Sequence, residues 1–304
     1  MFALLVPPNR GSAGFDLNRR TWGIQMILTQ INVWLDVVFV ALYIFILAFL
    51  VFHFTLFVTT GRFRKTFLQG EWPEHDSRPP ATPKVLHFIH MTSMIILGFT
   101  GMYLRFPFMY GARTFMRNTH YVFMVIVIVI LVWRIWYAFF SKTNADWREF
   151  AIGTKDLKTT LGVLAYYGYF SNKKPHVAKY NVLQKVSYNL FLYMMIAQAF
   201  TGLALLKWTL PLIDITVTQA MIGWWLGQLV GSASLALWIV RTFHYVFNWL
   251  FIIMTTIHLY LAASADVPCA LDFFGLKELE VVEDSHGHGH DTPASEPAPA
   301  PAGA

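Results

Sequence analysis

The chain has 304 residues, of which 56% are hydrophobic and only 13% charged. A soluble domain carries about 25% charged residues, so a largely disordered chain is excluded and a soluble globular enzyme disfavoured. The net charge of +6 sits mostly in loops, where it sets membrane topology rather than binding nucleic acid.

Five stretches are apolar enough to span a bilayer, because about 20 residues at about 1.5 Å each cover about 30 Å. Residues 1–32 are a mixed N-terminal segment without a cleavable-leader pattern. The first span is expected over 33–59, and a basic, proline-rich loop follows over 60–83. Residues 84–265 carry four further spans, near 85–105, 119–140, 186–206 and 238–264, with a long polar loop over 141–185. Residues 209–231 hold Asp214, Thr216, Thr218, Gln219 and Gln228, too polar for a confident crossing. They also hold Gly223, Gly227 and Gly231, a small-residue spacing suited to close packing. This stretch reads as an interfacial or re-entrant segment. Residues 266–304 read as a disordered tail, acidic and then rich in His, Pro and Ala. The fold class is an all-α membrane protein, a four-helix bundle with one extra N-terminal transmembrane helix.

Lys and Arg near the span ends orient the chain. Loops 61–84 and 141–185 with Lys277 hold fourteen of them, and the opposite side holds eight. The two large loops and the C-terminus are therefore expected in the cytoplasm, with the N-terminus outside. This reads as a multi-pass protein of the cell inner membrane. One cysteine, Cys269, excludes internal disulfides, zinc sites built from cysteines, and iron–sulfur ligation within the chain. No C-x-x-C-H is present for covalent haem attachment.

Six of the eleven histidines lie in or at the ends of spans: His53, His87, His90, His120, His244 and His258. Ionisable residues there are costly and usually functional. His244 and His258 are separated by fourteen residues of one helix, nearly four turns, so they share a face roughly 21 Å apart. A b-type haem needs an imidazole on each side of its iron, and two haems stacked across a bilayer need two opposing ligands at opposite surfaces. Span two has His87 and His90 at its inner end, and span three has His120 at its outer end. The pairs are then His87 with His258 at the inner surface and His120 with His244 at the outer one. Thr100-Gly101 and Thr201-Gly202 supply glycines that let a macrocycle or a neighbouring helix approach closely. His53 has no obvious partner for a third haem.

These residues resemble the diheme cytochrome b (gamma) subunit of respiratory formate dehydrogenase and its relatives in membrane nickel–iron hydrogenases. The family has a histidine followed fourteen residues later by glycine in a Ser/Thr-Gly pair, matched by His87 and Gly101 and not by His90. Its Arg-x-x-His is matched by Arg117 and His120. Its Lys-Tyr-Asn-x-x-Gln-Lys run is matched from Lys179 to Lys185. Its last pair of histidines, the second followed by a hydrophobic residue and Tyr, is matched by His244, His258, Leu259 and Tyr260. The resemblance implies two haem b groups and an iron–sulfur subunit and catalytic subunit as partners. It also implies menaquinone or ubiquinone as electron acceptor, bordered by Asn181 and His258. The extra first span, the longer link over 209–231 and the acidic tail depart from that pattern. The competing readings are a stand-alone cytochrome b that oxidises or reduces a small molecule, and a metal-ion transporter with a histidine-bearing tail.

Overall fold

The computed structural model describes residues 12–73, 75, 78–142, 145–171, 180–210 and 214–281. Five helices are long and apolar enough to cross a membrane: Met26–Thr59 within α1 (Ser12–Thr59), α2 (Ala81–Arg105), α3 (Arg113–Phe140), α6 (Val182–Ala204) and α8 (Ala233–Ala265). The protein is an all-α membrane bundle. α1 starts well before residue 33, because nothing in residues 12–32 breaks a helix. Between the spans lie the short helices α4 (Trp147–Phe150), α5 (Thr154–Tyr167) and α7 (Leu226–Leu229), and α9 (Val267–Phe273) follows the last.

Local chemistry sets the ends. Pro79 and Pro80 precede α2 and Pro83 lies in its first turn, where a missing N–H costs nothing. Asn181 caps α6 by accepting the Gln184 N–H, while Gln184 accepts the Asn181 N–H. Ser232 caps α8 by accepting from Leu235 N–H. Apolar side chains such as Phe45, Val51, Val129 and Phe140 face outward, as a lipid-facing surface requires.

Side-chain pairs fix the directions of the helices. Thr100 near the end of α2 meets His120 near the start of α3, and Thr201 near the end of α6 meets His244 near the start of α8. Asp36 of α1 meets Arg105 at the end of α2 and Tyr245 of α8. Thus α1, α3 and α8 run one way, and α2 and α6 run the other. The end of α6 and the start of α8 lie at the same end of the bundle, so residues 205–232 leave and return there. They form a two-stranded turn, β1 (Thr209–Leu210) against β2 (Ile215–Thr216), then a π-turn over Gln219–Gly223, then α7. Ile222 packs with Ala204 and Val240. Gly231 adopts φ +70°, and a Cβ on Gly227 would sit 3.6 Å from the Ala233 Cα. Two of the three spaced glycines thus serve the return turn and the close approach to α8.

Several charged side chains within the bundle are paired. The Arg105 guanidinium donates to both Asp36 oxygens at 2.9 and 2.7 Å, and Tyr245 Oη donates to Asp36 at 2.7 Å. Arg134 holds Asp146 through two bonds of 3.1 and 2.8 Å. Lys185 donates to Asp156 at 3.0 Å and to the Ala151 carbonyl at 3.2 Å, tying α5 to α6.

The tail departs from expectation. Residues 266–281 are ordered: Asp266 caps α9, Lys84 pairs with Asp272 at 2.6 Å, and Arg78 donates to the Leu279 carbonyl at 2.6 Å. Composition pointed to disorder because these partners come from far off in sequence, Arg78 in the loop before α2 and Lys84 in its first turn. The remaining tail, with His286, His288 and His290, lies outside the described residues.

The Gly153 N–H and Lys185 hold the Asp156 carboxyl below the usual carboxylate range. A depressed pKa contributes stability that is present above the unfolded value and lost as pH falls through the folded one. Thermal unfolding in detergent is therefore expected to give a lower Tm for Asp156→Asn than for wild type at neutral pH. The gap is expected to narrow as pH falls below the usual carboxylate range.

Candidate functional site

A cavity of about 2500 Å³ runs through the bundle, whereas interiors are otherwise close-packed and a small-molecule pocket holds about 300–1,000 Å³. It is lined by His87, His90, His120, His244 and His258, and also by Asn181, Gly101 and Gly202.

The histidines meet in two pairs. His87 of α2 faces His258 of α8 with ring centroids 6.4 Å apart, and His120 of α3 faces His244 of α8 at 6.4 Å. Two imidazole nitrogens on opposite sides of one metal, each at about 2.0 Å, put the ring centroids roughly 6.3 Å apart. The pairs sit at opposite ends of the α8 segment between residues 244 and 258. Phe273 of α9 packs against His87 at 5.4 Å, and Phe191 against His258 at 6.0 Å.

At the His120–His244 end, both rings are oriented by the same device. The Thr100 hydroxyl gives its one hydrogen to the Ile96 carbonyl at 2.7 Å, so its oxygen accepts from His120 Nδ1 at 2.9 Å. Thr201 donates to the Ala197 carbonyl at 2.9 Å and accepts from His244 Nδ1 at 3.0 Å. A neutral imidazole that donates from Nδ1 has a lone pair on Nε2. Such an outer hydrogen bond fixes tautomer and ring direction for metal ligation. The Gln198 amide nitrogen lies 3.4 Å from His244 Nε2. Gly101 and Gly202 complete the device: a Cβ would approach the Cε1 of His120 at 3.5 Å and that of His244 at 3.3 Å. Their first contact is thus with the histidine rings. Sequence reasoning singled out the glycines but gave the adjacent threonines no bond; the signal was Thr-Gly recurring near the ends of two helices.

The other histidines differ. His53 has both ring nitrogens engaged. Its Nε2 donates to the Tyr167 carbonyl at 2.9 Å, so its Nδ1 accepts from Tyr260 Oη at 2.6 Å. It anchors α1 and has no nitrogen free for a third haem. His90 lines the cavity with its Nε2 buried and without a hydrogen-bond partner. Asn181 is buried and caps α6, and burial raises the pKa of Tyr167, which lines the same cavity.

A family model of the prokaryotic cytochrome b561 matches residues 80–268. The chain belongs to that family. No curated protein and no solved structure is similar to it. The matched region runs from the start of α2 into α9 and contains both histidine pairs, while α1 lies before it. As a family member the chain is a membrane cytochrome b that binds haem b and transfers electrons. The residues fit that group on two counts: facing imidazoles at ligating separation, and two Nε2 lone pairs set by threonines.

Gly202→Val is expected to push the His244 ring off its threonine and lower the b-type absorbance per chain. Gly23→Ala on α1, outside the cavity lining and with nothing within 4 Å of its Cβ, is expected to leave the spectrum unchanged.

Proposed function

We propose that the chain is the membrane subunit that carries electrons from a partner dehydrogenase, of formate dehydrogenase or hydrogenase type, through two b haems to the quinone pool. The single observation that carries this reading is the pair of facing histidines at each end of one helix, both at a 6.4 Å ring separation. One pair holds one haem; two pairs separated by nearly four turns of α8 span most of a bilayer. His87 and His258 would hold the iron of one haem, and His120 and His244 that of the other. Bound there, haem b supplies one-electron chemistry of its iron. Gly101 and Gly202 leave room for the His120 and His244 rings to lie against α2 and α6.

The positive-inside count supports a cytoplasmic His87–His258 end, with the N-terminus outside and the C-terminus inside, in the cell inner membrane. The quinone, menaquinone or ubiquinone, is proposed at this end. Reducing it takes two electrons and two protons, so its headgroup needs hydrogen-bond donors and a route to water. Asn181 has two amide hydrogens, either of which can donate to a quinone carbonyl. An amide brings no charge into the apolar cavity. The donor's iron–sulfur and catalytic subunits dock at the His120–His244 end, where Arg113, Arg117, Lys207 and Arg241 line the cavity.

Reduced-minus-oxidised spectra with haem quantification test the pairing. His120→Ala and His244→Ala are expected to remove the same haem, and His87→Ala and His258→Ala the other. Loss of different haems within a pair overturns the assignment. For the quinone, Asn181→Ser retains a capping oxygen but no amide donor. It is expected to keep both haems and slow their reoxidation by an added quinone at least several-fold; reoxidation at the wild-type rate removes Asn181 from the quinone site.

A further inference from the structure

A second cluster of ligand-type side chains lies apart from the two histidine pairs, where the loop before α2 meets the α8–α9 junction. A His75 ring nitrogen, an Asp266 carboxylate oxygen and Cys269 Sγ all lie within 4.8 Å of one another, and all three residues are partly buried. From these we infer a binding site for one divalent transition cation of the zinc class, held by His75, Asp266 and Cys269.

Three features make it more than a chance meeting. The first is how Asp266 divides its oxygens. Its Oδ1 accepts the Cys269 N–H at 3.1 Å and so caps α9. Its Oδ2 is left for the cluster. The cap fixes the carboxylate and places Cys269 one turn into α9, so Asp266 and Cys269 converge by local geometry alone.

The second is the approach of His75. Its Nε2 lies 2.9 Å from Asp266 Oδ2. Yet that nitrogen is buried and meets the angular requirement of a hydrogen bond with no acceptor. A histidine and a carboxylate this close but misaligned are poorly satisfied as a hydrogen-bonded pair. Aimed at a common third point, both are satisfied by one cation.

The third is donor chemistry. Imidazole nitrogen, carboxylate oxygen and thiolate sulfur at about 2.0–2.3 Å are the ligand set of a tetrahedral zinc-type ion, and their mutual distances then fall at about 3–4 Å. Three protein ligands leave a fourth position for water. Binding displaces the Cys269 proton to solvent. A lone cysteine rules out sites built from several thiols and leaves this mixed one open. The cation would pin the loop carrying His75 to Asp266, eight residues beyond His258 on α8. It would thereby hold closed one wall of the cavity, which all three ligands line. The inference stands on these residues alone and does not depend on the donor or the quinone.

Cobalt(II) tests the site on the full-length protein in detergent, stripped with chelator and then titrated. Cys269 is the only thiol in the chain, so a thiolate-to-cobalt charge-transfer band reports this site and no other. The band is expected to saturate at one cobalt per chain. It is expected to persist when His286, His288 and His290 are all replaced by Ala, and to vanish in Cys269→Ser. His75→Ala is expected to weaken cobalt binding by about tenfold or more, while the haem spectrum of each variant reports that the bundle is folded. A wild-type protein with no charge-transfer band overturns the site. So does a band that is lost with the tail histidines or is unmoved by His75→Ala, since the cluster would then be an ion pair beside an unrelated thiol.

Discussion

A histidine carried into a membrane must satisfy one ring nitrogen and still keep the other for chemistry, and that requirement organises this bundle. In the hydrocarbon no water can complete an imidazole's hydrogen bonds. His120 and His244 meet the requirement through a threonine one helix away, whose own hydrogen is spent on a carbonyl four residues back. The hydroxyl can then only accept, so Nδ1 must donate and Nε2 must face the cavity. Valine in place of either threonine would leave the packing volume nearly unchanged and free the ring to choose its tautomer. The glycine that follows each threonine lets the ring lie against the helix, so the Thr-Gly pair acts as a single unit that sets direction and distance together.

The same requirement explains what the other polar groups in the spans do. Asp36, Arg105 and Arg134 would each be expensive alone in lipid. Asp36 is instead shared by Arg105 and Tyr245, and Tyr245 also accepts from Trp249 Nε1 at 2.6 Å. These bonds join α1, α2 and α8 at the end where His244 sits, next in sequence to Tyr245. At the opposite end His53 spends both nitrogens on Tyr260 and Tyr167. The first helix, outside the family-matched region, is thus fastened at two places by polar contacts, and among its described apolar side chains only Phe39, Leu50 and Phe57 are buried.

Much of this was legible in the sequence. Span lengths, the fourteen-residue spacing of His244 and His258, and the placement of His87 and His120 at opposite ends of their helices follow from periodicity and a constant rise per residue. Those quantities are local. The roles of Thr100 and Thr201 were hidden because a threonine four residues from a carbonyl looks the same whether or not a histidine twenty or forty-three positions away completes it. The ordering of residues 266–281 was hidden for the same reason: Lys84 and Arg78 neutralise and pair with a segment whose own composition reads as tail. The engagement of both nitrogens of His53 depends on a carbonyl at the end of α5, more than a hundred residues away, which no periodicity reports.

The two ends of the cavity are built differently, and the difference bears on what each can do. At the His120–His244 end the rings are fixed by threonines and glycines of α2 and α6, so every determinant lies on a rigid helix. At the His87–His258 end the rings pack against Phe273 and Phe191, and Asn181, Tyr167, His75 and Asp266, drawn from loops and helix ends, line the same cavity. An end built on helices holds one geometry. An end walled by loop and cap residues offers hydrogen-bond donors, contact with water and room for a diffusible molecule to enter. A one-electron relay needs only the first kind of end, whereas coupling electrons to protons needs the second. The asymmetry follows from where the chain puts its connections: the short α2–α3 link and the return from α6 to α8 lie at one end, and α9 packs at the other.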